Sequence, residues 1–171
     1  MGVLTEYLKT EAEHLRKNQS TREHVVEEWV ASIKSLYERL EKWLREADSG
    51  LGFLHLQPMN MDLEEPRLGL YNAPCLRVRL GTAVTLIAPR GRYVISTICP
   101  PGEETQRTDG AVEIKSGALA EHYLYRLAGS TPSEDRWFIR NVAIWNADPM
   151  NLQVEPLDRD RFEAAILRAL R

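Results

Sequence analysis

A chain of 171 residues, 43% hydrophobic and 27% charged, has the makeup of one ordinary globular domain and can hold a core without a disulfide or a metal. Its net charge of −3 is spread evenly, with no basic or acidic tail, which argues against a protein that grips duplex nucleic acid. No apolar run approaches the ~18 residues of a membrane span, and the opening Met1-Gly2-Val3-Leu4-Thr5-Glu6 leads into charge, not into a signal-like apolar stretch; no membrane association is expected, and the expected location is the cytoplasm.

All nine prolines fall at or after Pro58, and of the ten glycines only Gly2 precedes Gly50. The first 48 residues therefore read as helix and the remainder as strands and turns. A first helix is expected over 3–17, with Leu4, Leu8, Ala12 and Leu15 on one side and Arg16 and Lys17 at its C-terminal dipole. Ser20-Thr21-Arg22-Glu23 has the form of a capping box, which predicts a break and a second helix over 22–48. In that second helix Val26, Trp29, Ile33, Leu36, Leu40, Trp43 and Ala47 recur at alternating spacings of three and four, and Val30, Tyr37 and Leu44 widen the stripe. A face this broad, carrying two tryptophans, suits packing on a sheet better than a narrow coiled-coil seam. The heptad register also passes unbroken from Leu8 through Gln19 and Arg22 to Val26, so one kinked helix is the alternative. Gly50 supplies the stop.

A mostly antiparallel sheet is expected over 52–156. Leu76-Arg77-Val78-Arg79-Leu80 alternates as a half-buried strand, Gly81-Thr82 reads as a two-residue hairpin turn, and residues 83–88 suit a central strand. Pro89-Arg90-Gly91 reads as a second turn, leading into a strand over 92–98 and a polar loop over 99–110. Further strands are expected near 53–57, 68–71, 111–115, 118–127, 137–144 and 152–155, with Trp137 and Trp145 in a buried strand. A helix over 158–171 closes the chain, capped by Asp158 and stapled by Leu157 and Phe162. The class is α+β, in a single domain over 1–171.

The two turns together predict pairings of Leu80 with Ala83, Val78 with Thr85 and Leu76 with Ile87, then Ala88 with Arg92. One side then collects Leu76, Val78, Leu80, Ala83, Thr85, Ile87, Tyr93, Ile95 and Thr97 as core. The other collects Arg77, Arg79 and Arg92 around Val84, Leu86, Val94 and Ser96. Three guanidiniums around an aliphatic patch could take a carboxylate or other anion, the phosphate backbone of a nucleic acid, or an acidic partner; the plainer reading is surface arginine laid over aliphatics.

A second candidate is Asp109, Glu113 and Lys115, which share a side if 109–115 is a strand. Two carboxylates could hold Mg²⁺ with a lysine beside them to orient a water. Glu113-Ile114-Lys115 resembles the E-x-K half of the PD-(D/E)xK nuclease family, over about eight residues. The family's other acidic residue follows a proline on a preceding strand, and the nearest match here is Pro100-Pro101-Gly102-Glu103-Glu104. The resemblance implies Mg²⁺-dependent cleavage of nucleic acid. Alternating charge that protects a sheet edge produces the same letters.

Cys75 and Cys99 stand alone, without a CxxC or a neighbouring histidine, and read as free thiols. The four histidines make no metal-ligand spacing, and no phosphate-loop, dinucleotide or nucleophile-elbow motif occurs. No cofactor is expected outside the Mg²⁺ alternative, and catalytic residues are expected only there. The leading expectation is a non-enzymatic protein-interaction or accessory module. It would bind a partner or a second copy through an N-terminal arm over 1–18 whose Leu4, Leu8 and Leu15, with Tyr7 at the flank, are apolar enough to want cover.

Overall fold

The computed structural model describes residues 2–141 and 150–171. It opens with one α-helix, α1, over Val3–Asp48. The break expected at Ser20 does not occur. A capping box requires the chain to leave helical geometry there, and no glycine or proline favours that exit. Instead Thr21 donates its hydroxyl to the Lys17 carbonyl and Gln19 bonds Glu23 one turn on, as polar residues do inside a continuous helix. The helix ends at Ser49, which itself takes the left-handed conformation at φ 50° and returns its N–H to Arg45 and Glu46. Gly50 follows at φ 74°. The Asp48 carboxylate then accepts N–H bonds from Gly52, Phe53 and Leu54, steering the chain into the sheet.

Among the described residues ten strands follow: β1 Leu54–Glu65, β2 Gly69–Leu80, β3 Ala83–Gly91, β4 Thr97–Cys99, β5 Gln106–Arg107, β6 Ala111–Ser116, β7 Leu119–Leu127, β8 Arg136–Asn141, β9 Leu152–Gln153 and β10 Glu155–Pro156. Helix α2, Arg159–Ala169, closes the described chain. Seven strands form one antiparallel sheet in the order β1-β2-β3-β6-β7-β8-β10. The three short strands make a second sheet, β5-β4-β9, with β9 parallel to β4.

Local signals placed several of these elements. Gly81, at φ 60°, makes the tight turn, and Leu76, Val78 and Leu80 face Ile87, Thr85 and Ala83 in the expected register. Of residues 118–127, Leu119–Leu127 are strand. Asp158 caps α2 by accepting the Arg161 N–H, with Phe162 in the core and the half-buried Leu157 packed against it. The strand expected over 137–144 is present as far as Asn141; its remainder and Trp145 lie outside the described residues.

Other expectations are corrected. The strands near 53–57 and 68–71 are parts of two much longer strands. In both, the in–out alternation changes phase at one level, around Pro58–Asn60 in β1 and Pro74–Cys75 in β2. That phase change hides the strands from a period-two reading. Pro89-Arg90-Gly91 is not a turn: β3 continues through it with a register irregularity and pairs with β6. Residues 92–96 form no strand, because the buried Glu65 carboxylate accepts the N–H groups of Arg92 and Tyr93 that a ladder would have used. The Tyr71 hydroxyl donates to the same carboxylate. Gly91 fits here because a Cβ at that position would lie 3.1 Å from the Glu65 carboxylate. Tyr93 and Ile95 consequently miss the core, and Ile95 is 86% exposed. Leu80, at the hairpin end, is also exposed. The loop at 99–110 contains β5.

The large sheet has a core on each face. Helix α1 from Val25 onward and helix α2 cover one face, burying Trp29, Ile33, Leu36, Leu40, Leu76, Val78, Ile87, Val112, Ile114, Leu124 and Phe162. On the other face Ala111, Tyr125, Leu127 and Phe138 pack with Ile98, Leu152 and Val154 from the small sheet and its surroundings.

Candidate functional site

Helix α1 has two unlike halves. From Val25 to Asp48 its stripe is buried. From Gly2 to His24 every side chain is exposed except the small Ala12, which is half-buried. At 1.5 Å per residue the exposed half projects about 33 Å. Leu4 is 68% exposed, and Leu8 and Leu15 are 56% exposed, with Val3 and Tyr7 beside them. The three leucines singled out in sequence therefore share an arm that no described residue covers.

The root of the arm is fastened by charge. Arg126 on β7 is fully buried. It bonds Glu28 of α1 and Asp135, and its guanidinium lies 5.8 Å from the centre of the Trp29 ring. Burial works against the Arg126 charge, but the bonds to Glu28 and Asp135 outweigh it and hold its pKa above the usual value. Asp135 also accepts from the Ser32 hydroxyl and the Gly129 N–H. Two turns of α1 are thus tied to the sheet where the arm departs. Gly110 completes the joint: its φ is 143°, and a Cβ there would meet the Trp29 ring at 2.5 Å.

Beside the root lies a groove of about 410 Å³ between α1 and the β1–β2 hairpin. Gln19, Arg22, Glu23, Val26 and Glu27 line one wall, and Leu68, Leu70 and Tyr71 the other. Leu70 is 70% exposed. The hairpin tip is where cover for the apolar stripe ends.

The arginine constellation is divided. Arg77 and Arg79 stay on the sheet face away from the helices, where Arg77, Val84, Leu86, Met59 and Lys115 border a shallow depression. Arg92 is elsewhere: it ion-pairs with Glu28 at 3.8 Å and Asp109 at 3.7 Å. The cause is the same Glu65 that removed residues 92–96 from the sheet.

Asp109, Glu113 and Lys115 are divided too. Asp109 precedes β6, beyond Gly110, and accepts the Ala128 N–H besides pairing with Arg92. Glu113 pairs with Lys115 at 3.1 Å and Arg90 at 3.6 Å. Among the described residues no three His, Cys, Asp or Glu side chains gather where they could hold a metal ion. Glu103, in the segment matched to the acidic half of the nuclease pattern, is bonded to Arg136 at 2.7 Å.

Sequence reading passed over Arg126 and Asp135, and of His122 it took only the lack of metal-ligand spacing, whereas the side chain is buried. Leu124 and Arg126 alternate onto the helix-covered face, so an arginine at a core position was a legible signal that carboxylates must be near. His122 occupies the same face, between β7 and α2 in a cleft with Arg161, Arg168 and Arg171. Burial, and then Arg168, push its pKa down. Compared with models of known protein families, with curated proteins and with solved structures, the chain matches none.

Proposed function

We propose that this chain is a non-enzymatic protein-interaction module whose contact element is the N-terminal arm, residues 3–24. One observation carries the reading: an apolar stripe containing Leu4, Leu8 and Leu15 continues the buried stripe of the same helix yet no described residue covers it. An amphipathic helix stripe gains its stability from burial against another surface, and a helix laid along a partner is a recurrent mode of recognition. The remaining features support this reading. The root is immobilised by Arg126, Glu28 and Asp135, which presents the arm in a fixed direction. The side chains offered for metal chemistry are engaged by Arg90, Arg92 and Lys115. The two free thiols, Cys75 and Cys99, fit the reducing cytoplasm.

Deletion of residues 2–18 is the test. The shortened protein stays folded, with its unfolding midpoint nearly unchanged, and loses its association with a second copy or a partner. A loss of several kcal/mol, as deletion of buried leucines would give, would show that the arm is core and defeat the reading. Incubation of the whole protein with DNA or RNA and Mg²⁺ supplies the contrary test. No cleavage is expected; robust cleavage lost in both Glu113→Gln and Lys115→Ala would replace this reading with an enzymatic one.

A further inference from the structure

We infer that the partner of the arm is a second copy of this chain, with the two arms packed antiparallel so that the tip of each lies in the groove at the root of the other. The inference rests on reading the arm as a contact element and names what it contacts.

The first argument is the continuity of the seam. Thr5, Leu8, Ala12, Leu15, Gln19 and Arg22 repeat at spacings of three and four in the register of Val26, Trp29, Ile33 and Leu36. The exposed seam therefore lies on the same side of the helix as the sheet. It becomes covered at Val26, where Leu68 and Tyr71 of the hairpin close over it.

That geometry decides the direction. In a parallel pair joined along this seam, the partner helix would continue past residue 24 into space already filled by the hairpin tip. In an antiparallel pair the partner helix ends there. With the twofold axis between Ala12 and Leu15, each Ala12 meets the other Leu15, each Leu8 meets Gln19, and Thr5 meets Arg22. Val3 and Leu4 of one arm then arrive at the groove walled by Val26, Leu68 and Leu70 of the other. The shared seam is about 25 Å long, and it stops where the hairpin begins.

Charge makes the arm complementary to itself in the same direction. Residues 3–13 carry Glu6, Glu11 and Glu13 against Lys9, whereas residues 14–22 carry Arg16, Lys17 and Arg22 and no acid. Antiparallel pairing sets the acidic tip of each arm beside the basic stretch of the other, and parallel pairing sets like against like. Gln19 and Arg22 in the seam lower its apolar content and define the register, as single polar seam positions do in coiled coils. A twofold contact of this kind is closed, because each arm occupies the groove that the other presents in return.

Sedimentation of the whole protein across a wide concentration range should show a monomer–dimer equilibrium. Reversing the basic stretch (Arg16→Glu with Lys17→Glu) or the acidic tip (Glu6→Lys, Glu11→Lys and Glu13→Lys) should each weaken self-association at least tenfold. Mixing the two variants should restore a dimer that neither forms alone. For direction, in a Cys99→Ser background, Leu8→Cys should fail to cross-link to itself under oxidation but should cross-link to a Gln19→Cys copy. Self-linking of Leu8→Cys would overturn the antiparallel arrangement. A protein that sediments as a monomer at every concentration overturns the second-copy inference. If the protein lacking residues 2–18 is then still fully stable, only this inference falls and the contact reading survives; if it is strongly destabilised, both fall.

Discussion

The two halves of α1 obey one pattern and have opposite surroundings. From Val25 onward the stripe presses on a seven-stranded sheet, with Trp29 stacked on Trp137 at 6.3 Å and the Tyr37 hydroxyl bonded to the Ile87 carbonyl. Before Val25 the same register meets solvent. Helix formation in the exposed half needs no packing of its own, because the seated half supplies the nucleus and each added residue gains a backbone bond. What differs is the worth of a side chain. In the seat it is set by the area removed from water and by packing; on the arm it is nearly nothing until a second surface arrives.

Mutations can sharpen that contrast. The largest effect should come from Trp29→Ala, which empties the space between Trp137, Arg126 and Gly110 and should cost about 3–5 kcal/mol in urea unfolding. Arg126→Met should cost about 3–5 kcal/mol, since it leaves the buried Asp135 carboxylate without its cation; Asp135→Asn added to it should recover part of that loss. Gly110→Ala should cost about 1–3 kcal/mol, by driving a methyl group into the Trp29 ring at a backbone angle that alanine rarely adopts. Failure of any of the three to destabilise would mean that the seat is looser than its geometry.

The seated region carries a pH effect. His122 is buried beside Arg168 and titrates below the ordinary histidine range, so the unfolded chain takes up the proton first. Its contribution to stability is complete above the unfolded pKa of about 6.5 and is lost as pH falls through the folded value. Thermal midpoints should therefore drop on acidification in this window, and His122→Gln should flatten the drop. The smallest effect is reserved for the arm. At protein concentrations where only monomer is present, Leu8→Ala and Leu15→Ala should each change unfolding free energy by no more than about 0.5 kcal/mol. A loss of several kcal/mol from either would erase the difference between the two halves.

Features written in short-range spacing were legible. The stripe from Val26 to Ala47 is a helical period, the Gly81-Thr82 turn sets the register of Leu76, Val78 and Leu80, and Asp158 with Leu157 and Phe162 marks the start of α2. The arm's leucines could be read from the same period. Features that depend on a distant partner were not. Glu65 appears in sequence as one more charge in a loop, yet it takes the N–H groups of Arg92 and Tyr93 and ends β3, which separates Arg92 from Arg77 and Arg79. Asp109 and Glu113 share a parity along the chain, but Gly110 and the claims of Arg92 and Arg90 hold them in different company.

By itself the sequence determined the class of the fold, the helical character of its first 48 residues though not their continuity, the closing helix, the Gly81 hairpin and most strands, because each is encoded in the residues that form it. Only the tertiary structure decided which part of the long stripe would be core. A periodic stripe states that a face wants burial; the surface that buries it must come from elsewhere in the chain. Here the hairpin tip at Leu68 and Tyr71 is where that surface stops, and the Arg126 ion pairs hold the helix so that everything before Val25 remains outside.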